Sequence, residues 1–291
     1  MLRPRYGMIA LAAVLWPLAG SAQRLLELPV RTEATADAVI TGLPAIFWNP
    51  AALTVKPYRG AGMVLNVRTP SELGLSGIVG AAAIQTERLT VGVAWEHVSV
   101  DDITQTDDSP VDPIGNLSIG EDRFTLAAAH EFRPAFSVGA TARYARDDIE
   151  GTDATLALGA GVLFALSGPL EARLGAMVLN ERDEAGWNAG AEIRLPPWFG
   201  EPYRLNLSYG AGEDAHAFGI AHRVAGRLDW EQRAAVSFGM TREPGSDDAE
   251  WQPLLAASLR LNRYTVGVAR ESLSAGFGAT YAFRLQIGLG H

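Results

Sequence analysis

Residues 274–289 read SAGFGATYAFRLQIGL, and apolar side chains alternate here with small or polar ones almost without interruption. Successive side chains of a β-strand point to opposite faces, so one face of this segment is apolar along its whole length. A tilted strand needs about 9–11 residues to cross a bilayer, and this stretch is longer. The pattern therefore predicts a strand that crosses a membrane.

The same alternation recurs along the chain after residue 53. In lipid only helices and closed barrels satisfy every backbone hydrogen-bonding group, and no later run approaches the ~18 apolar residues of a membrane helix. We therefore predict an all-β fold, a transmembrane antiparallel β-barrel of about 14 strands over residues 54–291, with a soluble β-protein as the alternative. The predicted strands are 58–68, 73–85, 89–101, 122–132, 135–146, 153–165, 170–180, 187–194, 203–210, 215–224, 228–241, 252–261, 264–270 and 274–289.

The connections between the predicted strands alternate in length and charge. Joins after odd-numbered strands are often long and acidic, as in 101–121 and 147–153, whereas joins after even-numbered strands are mostly short, as at Arg133-Pro134 and Ala225-Gly226. Outer-membrane barrels have short periplasmic turns and longer extracellular loops. The pattern therefore places both ends of the predicted barrel in the periplasm.

Aromatic residues near the predicted strand ends are expected to form the two interfacial girdles of such a barrel. The alternative is that aromatic side chains suit strands in any environment. The residues concerned are Trp95, Tyr144, Trp187, Tyr203, Tyr209, Trp230, Trp251 and Tyr264.

The first 22 residues have the features of a secretory signal peptide. Arg3 and Arg5 form a basic region, residues 8–18 an apolar core, and residues 20–22 a cleavage site of small side chains. Such a segment directs export and is removed from the mature protein. Together with the strand pattern, it predicts a bacterial outer-membrane location.

Composition excludes several function classes. The formal net charge is −9 at pH 7, which argues against a nucleic-acid partner. The chain has no cysteine, so disulfides, thiol nucleophiles and thiolate metal sites are excluded. Neither a Gly-x-Ser-x-Gly nor a His-Glu-x-x-His motif accompanies the five histidines. We therefore predict no enzymatic activity, no cofactor and no metal site.

Residues 34–53 do not alternate and read ATADAVITGLPAIFWNPAAL. The segment resembles the signature of the FadL and PorV-type outer-membrane proteins, in which an Asp-Ala pair precedes an aromatic residue and Asn-Pro-Ala. The matching positions are Asp37, Ala38, Trp48, Asn49, Pro50, Ala51, Ala52 and Leu53. The resemblance implies that residues 23–53 form an N-terminal hatch, which folds back into the lumen and turns into the wall at Asn49-Pro50.

An ordinary turn before the first strand would also explain Asn49-Pro50, because Asn-Pro initiates turns and proline cannot donate to a strand ladder. Barrel width favours the hatch. A fourteen-stranded barrel is wider than the eight-stranded size that side chains alone can fill, so another part of the chain must occupy the lumen.

The predicted inner face carries several charged and amide side chains. The arginines among them either bind the carboxylate of an amphipathic solute, since the guanidinium fork matches it, or hydrogen-bond the hatch and one another. Inward positions such as Gly139 are expected to tolerate substitution better than lipid-facing ones. The candidate lumen-lining residues are Glu96, Glu131, Arg143, Arg173, Arg204, Asn206, Arg223, Arg260 and Arg284.

These observations and the resemblance together predict passive uptake of hydrophobic or amphipathic small molecules across the outer membrane. The expected partners are outer-membrane lipid and a hydrophobic small-molecule ligand. The PorV-type resemblance implies an alternative, an accessory barrel that works with secretion-system proteins in protein secretion or surface attachment. A structural outer-membrane protein is the third reading.

Overall fold

The computed structural model describes residues 31–55, 61–68, 75–106, 113–147, 153–168, 171–181, 184–197, 202–213, 219–231, 233–242, 251–272 and 279–288. The predicted signal peptide lies outside these residues. A 3₁₀ helix (Asp37–Val39), a one-turn helix α1 (Ala45–Trp48) and a second 3₁₀ helix (Pro50–Val55) precede the strands. The strands are β1 (Ala61–Arg68), β2 (Leu75–Thr86), β3 (Leu89–Thr106), β4 (Pro113–Arg133), β5 (Phe136–Asp147), β6 (Asp153–Leu166), β7 (Glu171–Glu181), β8 (Glu184–Arg194), β9 (Tyr203–Glu213), β10 (Ala221–Trp230), β11 (Ala234–Arg242), β12 (Trp251–Leu261), β13 (Tyr264–Ser272) and β14 (Ala279–Gly288).

Every strand pairs antiparallel with its sequence neighbours, which confirms the predicted all-β antiparallel fold. β1 also pairs with β14, with Ala61 opposite Gly288, so the strand order forms a closed ring. We call the rim where odd-numbered strands begin the turn end and the opposite rim the loop end. Most of the shortest connections between strands lie at the turn end, as between Thr86 and Leu89.

Exposure alternates along the strands as the sequence pattern predicts. In β14 the odd-numbered Phe283 and Leu285 are exposed on the outer face, whereas Ala282 and Arg284 are buried on the inner face. In β6 Leu156 and Leu158 are exposed and Ala157 is buried. The ring therefore has an apolar exterior and an interior of small and polar side chains.

Aromatic side chains gather at both rims of the outer face. Seven of the eight predicted girdle residues are exposed, and Trp187 is half-buried. Trp95 and Trp187 donate their indole N–H groups to Asp122 and Glu213 at 3.0 and 3.2 Å. This arrangement, an apolar body below a polar tip, is typical of aromatic residues at a boundary between apolar and aqueous surroundings.

The predicted turn at Ala225-Gly226 is wrong. β10 runs through both residues to Trp230, and the turn follows at Glu231, whose φ is +48°. Ala225 is buried on the inner face opposite Gly239, where an added Cβ would lie 2.9 Å from the Cβ of Ala34. Small residues are needed here because the N-terminal segment packs against the wall. In the sequence alone they were interpreted as a turn, because small residues also favour turns.

The predicted loop 101–121 is also mostly strand. β3 continues to Thr106 and β4 begins at Pro113, with Val100 opposite Ile119 and Ile103 opposite Leu117. Two register irregularities interrupt this pairing. β-Branched residues sustain the ladder although the aspartates between them favour a loop, and bulges of this kind accommodate such sequences.

Candidate functional site

The N-terminal segment, residues 31–55, lies inside the ring. Its side chains contribute much of the buried apolar surface, with Leu43, Ile46 and Leu53 fully buried. The helical turns of the segment contact the inner faces of β3 to β8. Because this packing removes a large apolar surface from water, the segment forms the core of the molecule together with the small residues of the wall.

Local sequence explains why the segment coils instead of joining the sheet. Gly42 adopts a positive φ of +79°, which permits a turn in which Ala45 donates its backbone N–H to the Gly42 carbonyl at 3.0 Å. Pro44 then initiates α1, and Pro50 begins the second 3₁₀ helix. The predicted turn from Asn49-Pro50 directly into the wall is therefore replaced by a helical turn that extends to Val55.

Asn49 occupies the centre of the segment and is completely buried. Its Nδ2 donates to the carbonyl of Ala38 at 2.7 Å and to the carbonyl of Val162 in β6 at 3.1 Å. Its Oδ1 accepts the backbone N–H of Ala51 at 3.2 Å. One amide side chain thus connects two parts of the segment to each other and to the wall.

Three wall glycines face this part of the segment. A Cβ added at Gly161 would meet Asn49 Oδ1, one at Gly175 the Ala38 carbonyl oxygen, and one at Gly139 the backbone nitrogen of Ala51. All three contacts would lie well inside the 3.0 Å below which real Cβ contacts essentially never occur. The prediction that Gly139 tolerates substitution is therefore wrong, because only glycine leaves room for the adjacent backbone.

Hydroxyl groups of the wall bind the backbone and side chains of the segment. Ala34 and Ala36 donate their backbone N–H groups to Ser237 Oγ at 3.0 Å and Ser208 Oγ at 3.1 Å. Thr54 Oγ1 lies 2.7 Å from Ser137 Oγ. The two serine bonds provide partners for backbone N–H groups that have no ladder partner of their own.

Ion pairs hold the first described residues of the segment against β10, β13 and β14. Arg31 binds Asp37 at 3.2 Å and Glu271 at 3.3 Å. Arg223 in β10 also binds Asp37. Burial alone would raise the pKa of Asp37, but the guanidinium groups of Arg223 and Arg31 lower it by more, so this pKa lies below its ordinary value.

Glu33 forms the second charged contact. It accepts from Arg284 at 2.7 Å and is also paired with Arg227. Arg227 in turn binds Asp229 at 2.9 Å, and Asn206 donates to the same carboxylate at 2.8 Å. The segment is therefore packed most tightly against the glycines of β5 to β7 and paired with charges on β10, β13 and β14.

The structure brings most of the predicted lumen residues to the inner face. Glu96, Arg143, Asn206 and Arg284 are buried there, and Glu131, Arg173 and Arg223 are half-buried. Arg204 and Arg260 share the inward phase but are exposed, because each lies within two residues of the turn end of its strand. Arg143 donates to the Phe47 carbonyl at 3.4 Å, and Arg173 pairs with Glu192.

Sequence reasoning missed several participants. Arg31 and Glu33 were not singled out, and Asp37 was noted only as part of the signature; all three lie in a segment without periodicity, so nothing in the sequence indicated their partners. Arg227 was missed because it follows the wrongly predicted turn. Its spacing of four residues from Arg223, on one face of a strand, is the signal that would have found it.

Metal-binding clusters and membrane-spanning helices are not found within the described ranges. No group of three or more His, Asp or Glu side chains there is arranged to hold a metal ion. None of the helices in the same residues has the length and apolarity needed to cross a bilayer.

Comparison with solved structures shows a shared fold. The Ralstonia pickettii toluene transporter TbuX superposes with a TM-score of 0.57 at 9% identity, covering 89% of this chain and 97% of that one. The P. putida toluene transporter TodX gives 0.54 at 9%, covering 90% and 100%. The CymD monoaromatic hydrocarbon channel gives 0.55 at 10%, covering 88% and 95%. No protein-family model and no curated protein matches the chain in sequence.

Asn49→Ala is expected to lower the free energy of unfolding by about 2 kcal/mol, because two buried carbonyl groups lose their donor. Asn49→Asp is expected to cost more, since a carboxylate would face the Ala38 and Val162 carbonyl oxygens. Urea titration of the full chain folded into vesicles measures both. Asn180→Ala, at an exposed outward position of β7, is the control and should not lower stability. Equal stability of all four proteins would contradict a central role for Asn49.

Proposed function

We propose that the protein is an outer-membrane channel for passive uptake of neutral hydrophobic small molecules, of the size of a monoaromatic hydrocarbon. One observation carries this proposal: a closed ring with an apolar exterior holds its own N-terminal segment inside, in a fold shared with two toluene transporters. The ring then provides the passage, and the segment keeps that passage from being an open pore.

The exterior supports a membrane location. Large apolar side chains that face outward remain exposed on every strand from β5 to β14, among them Leu158, Val236 and Phe283 at 55% or more. In water such a surface would drive association, whereas lipid chains cover it without cost. The aromatic rims fit the two boundaries of the bilayer. Under this proposal the short hairpins face the periplasm and the loop end faces outward.

The interior supports a hatch formed by the N-terminal segment. We place its boundary at Val55 in place of residue 53, because the second 3₁₀ helix and its burial continue to that point. The side facing β10, β13 and β14 is held by ion pairs and the opposite side by close packing. Ion pairs rearrange without opening a cavity in the core, so that side is where a small solute would pass.

The pairing of the inner arginines favours a neutral solute over a carboxylate. Arg223 and Arg284 bind acidic residues of the segment, and Arg173 binds Glu192 in the wall. A solute carboxylate would have to displace a carboxylate that is already bound, with no net gain in charge pairing. Of the two readings of these arginines, the structure thus supports the one in which they fix the hatch.

Flux across proteoliposomes tests the proposed function. Vesicles that contain the full chain should admit toluene faster than empty vesicles, whereas benzoate flux should not rise above that of the control. A matched rise for benzoate would contradict the neutral-solute assignment. If neither solute crosses faster, uptake is wrong, and a secretion accessory or a structural barrel becomes the better proposal.

Deleting residues 23–47 is expected to leave the wall able to close, because the strand ladder includes no residue before Ala61. A fourteen-stranded ring without its hatch leaves a water-filled channel, so conductance in planar bilayers should increase and small hydrophilic dyes should leak from vesicles. A folded deletion variant that conducts no more than the full chain would contradict the hatch.

A further inference from the structure

The outer face of the ring carries unequal charge at its loop end. On the side formed by β3, β4, β8 and β9, the outward acids Asp122 and Glu213 accept hydrogen bonds from tryptophan indoles. On β10 to β14, the described outward residues include no Asp or Glu. Three basic side chains lie there instead: His222, Arg242 and Arg270.

These three residues lie in one band at the rim. His222 is the second residue of β10, Arg242 the last of β11, and Arg270 lies two residues before the end of β13. Arg242 and Arg270 are exposed, and neither has an ion-pair partner among the described residues. Two exposed arginines at the edge of an apolar surface present guanidinium donors that an anionic ligand can bind.

Strand register fixes the spacing of this band. Arg242 is opposite both His222 and Trp251, whereas Arg270 is opposite Leu255. The two arginines are therefore separated by two strands, about 10 Å across the sheet, and by four residues of β12, about 13 Å along it. One phosphate is too small to bind both arginines without bending their side chains far from the surface.

His222 and the adjacent aromatic residues complete the surface. The Tyr209 hydroxyl lies 2.9 Å from Nδ1 of His222, and the two rings are stacked. Nε2, the other ring nitrogen of His222, points away from this hydrogen bond. Below the band, β11 to β14 present Phe238, Val268 and Phe283 to the exterior. The surface thus has hydrogen-bond donors for an anion at the rim. Beneath them it has an apolar area that acyl chains can cover.

We propose that this surface, made by His222, Arg242 and Arg270 above the apolar face of β10 to β14, binds a multiply acylated glycolipid that carries two phosphate groups. One phosphate binds Arg242 and His222, the second binds Arg270, and the acyl chains lie along the strands below. The inference rests on the proposed membrane location. Charge complementarity selects the ligand: the guanidinium fork matches phosphate geometry, and two separated arginines match a headgroup with two separated phosphates.

The test uses full-length protein in detergent micelles, titrated with diphosphoryl lipid A, monophosphoryl lipid A or phosphatidylglycerol and observed by native mass spectrometry. The wild type should bind the diphosphorylated lipid most tightly. Arg242→Gln combined with Arg270→Gln should weaken that binding roughly tenfold to thirtyfold, since each surface arginine contributes about a factor of five. The double variant should lose the preference for the second phosphate.

Arg146→Gln is the matched control, because Arg146 is an exposed, outward arginine at the loop end of β5 whose cross-strand neighbour is Asp122. It should bind the diphosphorylated lipid as the wild type does. Equal affinity of the double variant and wild type overturns the proposal, as does a wild-type preference for phosphatidylglycerol. Insertion into phosphatidylcholine vesicles tests the membrane location separately, so failure there contradicts the proposed function and not merely the lipid site.

Discussion

Gly175→Val is expected to cost about 3 kcal/mol of stability or to force the N-terminal segment from its position, because its Cβ cannot coexist with the Ala38 carbonyl oxygen. Backbone cannot move aside as a flexible side chain can, so the wall or the segment must give way. Urea titration in vesicles measures the first outcome, and a rise in bilayer conductance measures the second. Gly161→Val, which would meet Asn49, should behave alike.

Two other wall glycines, at positions where an added Cβ has room, provide matched controls. A Cβ at Gly80 meets nothing within 4 Å, and one at Gly226 lies 3.6 Å from the Leu207 side chain. Gly80→Ala and Gly226→Ala should be neutral or slightly stabilising, because alanine loses less conformational entropy on folding than glycine. If Gly175→Val matched these controls in both stability and conductance, the segment would not be seated against β7.

Leu158→Arg should destabilise the protein in vesicles by about 2–4 kcal/mol, the cost of an arginine at the lipid face near the bilayer midplane. Leu158 is in the middle of β6 and 58% exposed. In a water-soluble sheet the same exchange would replace an exposed apolar side chain with a charge and would be neutral or favourable. The sign of the effect therefore decides between lipid and water around the ring.

Position along the wall provides the control for this experiment. Phe132 is exposed near the turn end of β4, where an outward arginine should cost only about 0–1 kcal/mol because it reaches the interface. Leu158→Arg should thus cost about 1–4 kcal/mol more than Phe132→Arg. Equal small effects at both positions would contradict a bilayer around the outer face.

The strands of the wall were predictable from sequence because each has two faces with different surroundings. Alternation in β14 gave the correct phase for Phe283 and Arg284, and the same held for β5 and β6. The predicted strand boundaries were less accurate where small residues occur, because such residues serve both close packing and turns. Ala225 and Gly239, its cross-strand partner, are small because the N-terminal segment packs nearby, although small residues also favour turns.

The candidate site was predictable only in part. The pattern placed Arg223 and Arg284 on the inner face, yet it gave no information on their partners, because residues 31–37 have no periodicity to fix their position. Contacts such as Arg284 with Glu33 join residues 251 positions apart in sequence. Periodicity reports local conformation, so a contact at this separation depends on how the whole ring closes.

The contacts of Glu33 and Thr32 with Arg284 have a consequence for biogenesis. These residues are among the first of the described chain to be synthesised, and Arg284 lies in the last strand. The same segment also packs against the middle strands through Asn49 and Val162. The N-terminal segment can therefore complete its contacts only after the last strand has been synthesised, although it is among the first parts of the described chain to be made.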